Sequence, residues 1–211
     1  MKKDALVVAA NGTAFLAYFQ AGIVKDGQRA LWNSGCASMG YELPLSIGVS
    51  YAAKGKDVVC IGGEGSMQMN LQELETIIYN KLPIKIFYIN NAGYISIKQT
   101  QDSFFNGRRY GCDSDTGVGF PDIIKIAKAY GFNTYTLRDQ KGLEGKIMKI
   151  LAKKGPLLCE VELVRDYKFM PKLSSEAKPD GRIVSKPPED LYPFLDREEF
   201  KKHMIIPMIE E

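Results

Sequence analysis

Imidazole is almost missing from this sequence: one histidine, His203, stands near the C-terminal end of 211 residues. A tail position marks it as a solvated side chain, so neither a histidine general base nor a histidine-ligated metal is expected. Thiols are few and scattered. Cys36, Cys60, Cys112 and Cys159 form no C-x-x-C pair, which removes the ligand spacing of zinc sites, iron–sulfur clusters and redox dithiols. Cys60 and Cys159 fall inside apolar runs and read as buried thiols. No stretch of about 18 apolar residues is available to span a bilayer, and MKKDALVVAANG turns polar too early for a signal-peptide core. A basic block is also lacking. The net charge is +3, with 28 Lys and Arg scattered among 25 Asp and Glu, so nucleic acid is not an expected partner. What is present is 45% hydrophobic residues and length for one generous domain, expected in the cytoplasm.

Short β-branched runs recur at 5–10 (ALVVAA), 57–62 (DVVCIG), 84–90 (IKIFYIN), 132–137 (FNTYTL) and 156–163 (PLLCEVEL), and they read as buried parallel strands. Helical patterns lie between them at 39–53, 67–80, 121–130 and 141–154. In the second, Met67, Leu71, Leu74 and Ile78 keep helical spacing. The third opens on Pro121, suited to a first helical turn, and stops at Gly131, suited to a left-handed cap. Alternation of strand and helix predicts an α/β fold, a doubly wound parallel sheet with helices on both faces, over residues 1–165. Residues 166–211 carry many prolines and no sustained period, and read as an extended tail packing over the domain or a partner.

The stretch GGEGS, 62–66, follows a strand and opens a helix, the place where open parallel sheets bind ligands. Gly63 and Gly65 let backbone approach a ligand, the helix start offers free N–H groups, and Ser66 can cap that helix or donate to an anion. A dinucleotide-binding turn would need a third glycine and an acid at the end of the next strand. Here Gln68 stands in the glycine's place and the strand ends in Asn90–Asn91, against a nicotinamide-dependent oxidoreductase. A carboxylate aimed at a diphosphate repels it unless a cation stands between. Glu64 therefore reads as a metal ligand. Asn91 offers an amide oxygen from the neighbouring strand end and Gly93 a carbonyl, a set of hard oxygens suited to Mg2+.

Within GGEGS, the triplet G-E-G (63–65), 24 residues and then NN resembles the cofactor motif of thiamine-diphosphate enzymes, usually G-D-G, a similar spacer and N-N. SMGYELPLSIGVSYA, MNLQELETI, LPIKIFYINNAGY and FPDIIKIAKAYGF are likewise similar to segments of acetolactate synthase and its relatives. This resemblance implies thiamine diphosphate and Mg2+ as cofactors. It implies that Asn11, Gly12 and Thr13 touch the diphosphate together with Gly63, Gly65 and Ser66. Asn91, Gly93, Tyr94 and Ile95 would follow on the next strand end. Backbone groups of Ala37 and Met39 would hold the aminopyrimidine, with the Met39 side chain wedged beneath the bent cofactor; the competing reading is a methionine that fills core.

Departures from the family pattern are also legible. Glu64 replaces the usual aspartate with an arm one methylene longer. Ile97 stands where pyruvate-decarboxylase-like enzymes carry a glutamate. In KQTQ, Thr100 takes the place of a tryptophan between two glutamines, so Thr100 and Gln101 are expected to face the acceptor substrate; alternatively Thr100 is a loop residue. The resemblance also implies a pyrimidine-binding subunit or domain that supplies the activating glutamate, because nothing in this chain matches it. The expected protein is one subunit of a split 2-oxoacid decarboxylase/carboligase, a hetero-oligomer with a dimeric core, or else a fragment of a longer enzyme of that kind. The alternative is a non-catalytic, cofactor-binding or regulatory subunit of the same fold.

Overall fold

The computed structural model describes residue 1 and residues 3–207. Residues up to Tyr167 form one compact unit, and a second unit begins at Lys168. In the first, the strands are β1 (Leu6–Ala9), β2 (Arg29–Leu31), β3 (Val58–Gly63), β4 (Ile84–Asn90), β5 (Asn133–Leu137) and β6 (Leu157–Glu162). They make a six-stranded sheet in the order β2-β1-β3-β4-β6-β5, parallel at every pairing. The five expected strands are all there. β2, three residues of Arg, Ala and Leu, is too short to show a period and was not legible.

The helices are α1 (Thr13–Ala21), α2 (Glu42–Ala52), α3 (Glu64–Gln68), α4 (Glu73–Tyr79), α5 (Ile95–Phe104), α6 (Ile123–Ala129) and α7 (Leu143–Leu151). Strand side chains alternate between two cores. Val8, Val58, Cys60, Ile84, Ile86 and Leu158 pack with Leu43 of α2, Met67 of α3, Leu74 and Ile77 of α4 and Ile123 of α6. Val7, Val59, Phe87, Leu157 and Cys159 face Leu143, Ile147 and Ile150 of α7 and Tyr18 of α1. Helices thus cover both faces, and each fully buried Ile or Leu contributes about 1.5–3 kcal/mol. Cys60 and Cys159 are wholly buried, and burial pushes the Cys159 thiol up to about 12.

Three helix boundaries differ from expectation. The helix expected at 39–53 starts at Glu42, because Gly40 has φ +82°. The helix expected at 67–80 is two pieces. Between them Met69 and Asn70 close into tight turns, their N–H groups donating to Ser66 O and Met67 O at 3.2 Å, while the Asn70 amide donates to Gly40 O at 2.6 Å. Pro121 does not lie in a first helical turn. It precedes the cap Asp122, whose carboxylate accepts from the Lys125 N–H. Gly131 is left-handed as expected, with φ +90°.

The second unit is more ordered than a wholly extended tail. It contains an antiparallel pair, β7 (Ser175–Ala177) with β8 (Ile183–Ser185), and a helix α8 (Arg197–His203) capped by Asp196. Arg197 grips the buried Asp190 carboxylate through both terminal nitrogens, at 2.7 and 3.1 Å. His203 is exposed at the end of α8.

Candidate functional site

Strand order reverses between β1 and β3: the chain leaves β1 for β2 on one side, then returns to place β3 on the other. A crevice opens at the carboxyl ends of two such strands. The loops after β1, β2, β3 and β4 converge there on a cleft of about 330 Å³. Its walls include Asn11, Gly12 and Thr13, then Ala37 and Met39, then Gly63 to Ser66, then Asn91 and Gly93 to Ile95. Every expected cofactor contact is therefore gathered in one place. Thr100 and Gln101 are not. Thr100 is exposed and its hydroxyl donates back to Ser96 O, while Gln101 clamps the backbone of Tyr110 from both ends of its amide. Among α5 residues the cleft is lined instead by Ile95, Ser96 and Ile97.

Glu64 is the first residue of α3 and only 3% exposed. Its carboxylate bridges to the next strand end, accepting from the Ala92 N–H at 2.7 Å and the Asn91 N–H at 3.2 Å. Burial raises its pKa, and those N–H groups act in the opposite direction. The tip of the Asn91 amide lies 2.9 Å from Glu64 Oε2 and 2.6 Å from Gly93 O, with the other end of the amide against Thr13 Oγ1 at 2.9 Å. With nitrogen turned inward the amide donates to both oxygens. With oxygen inward, three oxygens crowd together, an arrangement that a cation makes favourable. Mg2+ holds oxygens at about 2.1 Å, so neighbouring ligands in its octahedron sit about 3 Å apart. The Asn91 tip stands near that spacing from both Glu64 Oε2 and Gly93 O, at 2.9 and 2.6 Å. Among the described residues no cluster of three or more His, Cys, Asp or Glu offers a rival metal site.

Two glycines are compulsory in this arrangement. Gly93 has φ +152°, and a Cβ there would lie 2.4 Å from Cys112 O. A Cβ on Gly65 would fall 2.0 Å from the Tyr94 ring. Gly12, with φ +84°, caps α1 without a side-chain partner and leaves that helix start facing the cleft. Ser66 does neither of the things expected of it. It lies inside α3 rather than at its cap, and its hydroxyl donates to Glu42 Oε2 at 2.8 Å, which leaves no proton for an anion.

Sequence reasoning missed the supports. Lys98 and Asp113 form a buried ion pair at 3.0 Å behind Gly93, and Tyr94 N donates to Cys112 O at 2.8 Å. Asn11 holds Ser38 O at 2.5 Å, and Tyr41 donates its hydroxyl to Ala9 O, fixing the loop that carries Met39. Phe15 and Leu16 also line the cleft; their place just past NGT was the available signal. Lys98 and Tyr41 carry none, since their partners are distant in sequence.

Residues 11–161 match the family model described as "Thiamine pyrophosphate enzyme, C-terminal TPP binding domain". The chain belongs to this family. Relatives include the acetolactate synthase large subunit of Pyropia yezoensis, 32% identical over 180 residues, covering 79% of this chain and 30% of the relative. That of Cyanidium caldarium is 41% identical over 130 residues, covering 62% and 22%. The acetolactate synthase of Arthrospira platensis is 34% identical over 149 residues, covering 70% and 25%. The chain thus spans less than a third of the length of these relatives. Thiamine diphosphate (thiamine pyrophosphate) and Mg2+ are the cofactors of this family domain, and the three-oxygen cluster beside a glycine-lined cleft fits them.

Proposed function

We propose that this chain is the cofactor-binding part of a thiamine-diphosphate-dependent 2-oxoacid decarboxylase/carboligase, completed by a pyrimidine-binding subunit or domain. Glu64, Asn91 Oδ1 and the Gly93 carbonyl would hold Mg2+. The Asn11–Thr13 turn with the start of α1 would hold the diphosphate, and the Ala37–Met39 backbone the aminopyrimidine. When bound, thiamine diphosphate supplies a carbon nucleophile able to add to a 2-oxoacid and to stabilise the charge left by loss of carbon dioxide. The chain's own residues bind, orient and exclude water. Met39 and Ile97 present apolar surface to the cleft, and Ser96 one hydroxyl.

One observation carries the need for a partner. Among the described residues that line the cleft, the one acid is Glu64, and it faces the metal position. No second carboxylate is there to exchange a proton with a pyrimidine nitrogen, so the activating glutamate is assigned to the partner. Thr100, exposed one turn beyond Ser96, keeps a place at the acceptor side in this reading; Gln101 does not, because Tyr110 occupies its amide. Four free thiols suit a reducing cytoplasm.

Calorimetry with thiamine diphosphate and Mg2+, followed by carbon dioxide release from pyruvate and other 2-oxoacids, tests this with and without the pyrimidine-binding chain. Binding and Mg2+-dependent release only in the combined sample are expected. Binding without release from any 2-oxoacid would favour a non-catalytic subunit.

A further inference from the structure

Glu42 has no part in the reading above, yet it is a carboxyl with 0% exposure at the start of α2. Ser66 Oγ donates to its Oε2 at 2.8 Å, and the same oxygen of Ser66 accepts from the Gly40 N–H at 2.8 Å. Two hydrogen bonds therefore run from α2, through the helix that begins at Glu64, to the residue directly after Met39. Gly40 has little freedom of its own. Its φ is +82°, a Cβ there would lie 2.7 Å from Met69 Cβ, and its carbonyl accepts from the Asn70 amide at 2.6 Å.

The other oxygen, Glu42 Oε1, is buried without a partner. Around the carboxyl lie Gly62 and Met67. A bare oxygen in such a place destabilises the fold, and an apolar side chain of the same size would pack there at less cost. Core stability does not explain the residue; the bond made by its second oxygen does. Burial also raises the pKa of this carboxyl.

We propose that Glu42 is a positioning residue which, acting through Ser66 and the Gly40 N–H, fixes the Met39 loop against the Glu64 turn. The two ends of a bent cofactor would contact these two segments, so the link sets the spacing between pyrimidine and diphosphate sites. This deepens the cofactor reading and rests on it. It also gives Ser66 a role: it ties loop to helix and does not touch phosphate.

The test compares Glu42→Met, Glu42→Gln and Ser66→Ala with the parent chain. It reads amide hydrogen exchange at Gly40, calorimetric affinity for thiamine diphosphate with Mg2+ in the presence of the pyrimidine-binding chain, and thermal stability. Glu42→Met and Ser66→Ala should each speed Gly40 exchange and weaken affinity by about 10–100-fold, the range for groups that orient first-contact residues. In Glu42→Met, loss of the bare oxygen and loss of the acceptor for Ser66 oppose one another, so the melting temperature should change little. Glu42→Gln, which keeps an acceptor for Ser66, should stay near the parent on all readouts. Unchanged Gly40 exchange in both Glu42→Met and Ser66→Ala would overturn the proposal, as would affinity that falls only in step with melting temperature. If Glu42→Met does not fold, Ser66→Ala breaks the same link from the other side and decides. If the parent chain binds no thiamine diphosphate, the cofactor reading fails, while Gly40 exchange still judges the link.

Discussion

At the scale of single residues, the longer arm of Glu64 is matched to its place. It starts α3 and reaches two backbone N–H groups on the next strand end, at 2.7 and 3.2 Å. An aspartate would fall short by about 1.5 Å, the length of one carbon–carbon bond. Glu64→Asp is therefore expected to weaken thiamine diphosphate binding with Mg2+, read by calorimetry; a gain in affinity would show that glutamate is a handicap. Gly65 makes a steric claim. Because a Cβ would fall 2.0 Å from the Tyr94 ring, Gly65→Ala must displace that ring from Phe120, against which it packs edge-on at 5.5 Å. Overpacking of this kind costs about 1–3 kcal/mol, so a lowered urea midpoint is expected, recovered when Tyr94→Ala is added. No recovery would mean that the collision is not the cause.

At the scale of elements, the sheet was legible because its central strands are continuous apolar runs and their ends carry the chemistry. Glu64 and Asn91 could be paired on paper, since β3 and β4 are adjacent and parallel. What could not be read depends on contacts between segments far apart in sequence. The break between α3 and α4 follows from Gly40, some 30 residues earlier. Ser66 looked like a cap, but it lies inside α3 and its hydroxyl donates to Glu42. Thr100 and Gln101 were placed by motif; neither lines the cleft, and the Gln101 amide is held by the backbone of Tyr110. Ile86 is wholly buried at the centre of the sheet, and Ile86→Ala should cost about 2–5 kcal/mol in denaturant unfolding; a change under about 0.5 kcal/mol would contradict the core assigned here. At the start of α6, hydrogen bonding from the Lys125 N–H is the main cause that lowers the Asp122 pKa. Its folded pKa lies below the unfolded value of about 3.9, so its contribution is complete above that pH and disappears as pH falls through the lower folded pKa. Asp122→Asn should keep the cap and remove that acid-side dependence; an unchanged acid profile would assign the dependence to other carboxylates.

At the scale of the molecule, one topological reversal gathers four loops into one cleft, and the family supplies the identity of what binds there. No helix among the described residues is long and apolar enough to cross a membrane. Among the described residues that line the cleft there is one acid, where the proposed chemistry needs two. A second carboxylate, from a pyrimidine-binding subunit or domain, is thus a chemical requirement of the proposed activity. All of this depends on a divalent cation held jointly by Glu64, Asn91 and Gly93. Mn2+ can replace Mg2+ and be located by its anomalous scattering in crystals grown with thiamine diphosphate and the pyrimidine-binding chain. A peak at coordination distance from Glu64, the Asn91 amide oxygen and the Gly93 carbonyl is the expected result. A bound cofactor with no peak among these three groups, or with its metal held elsewhere, would contradict it.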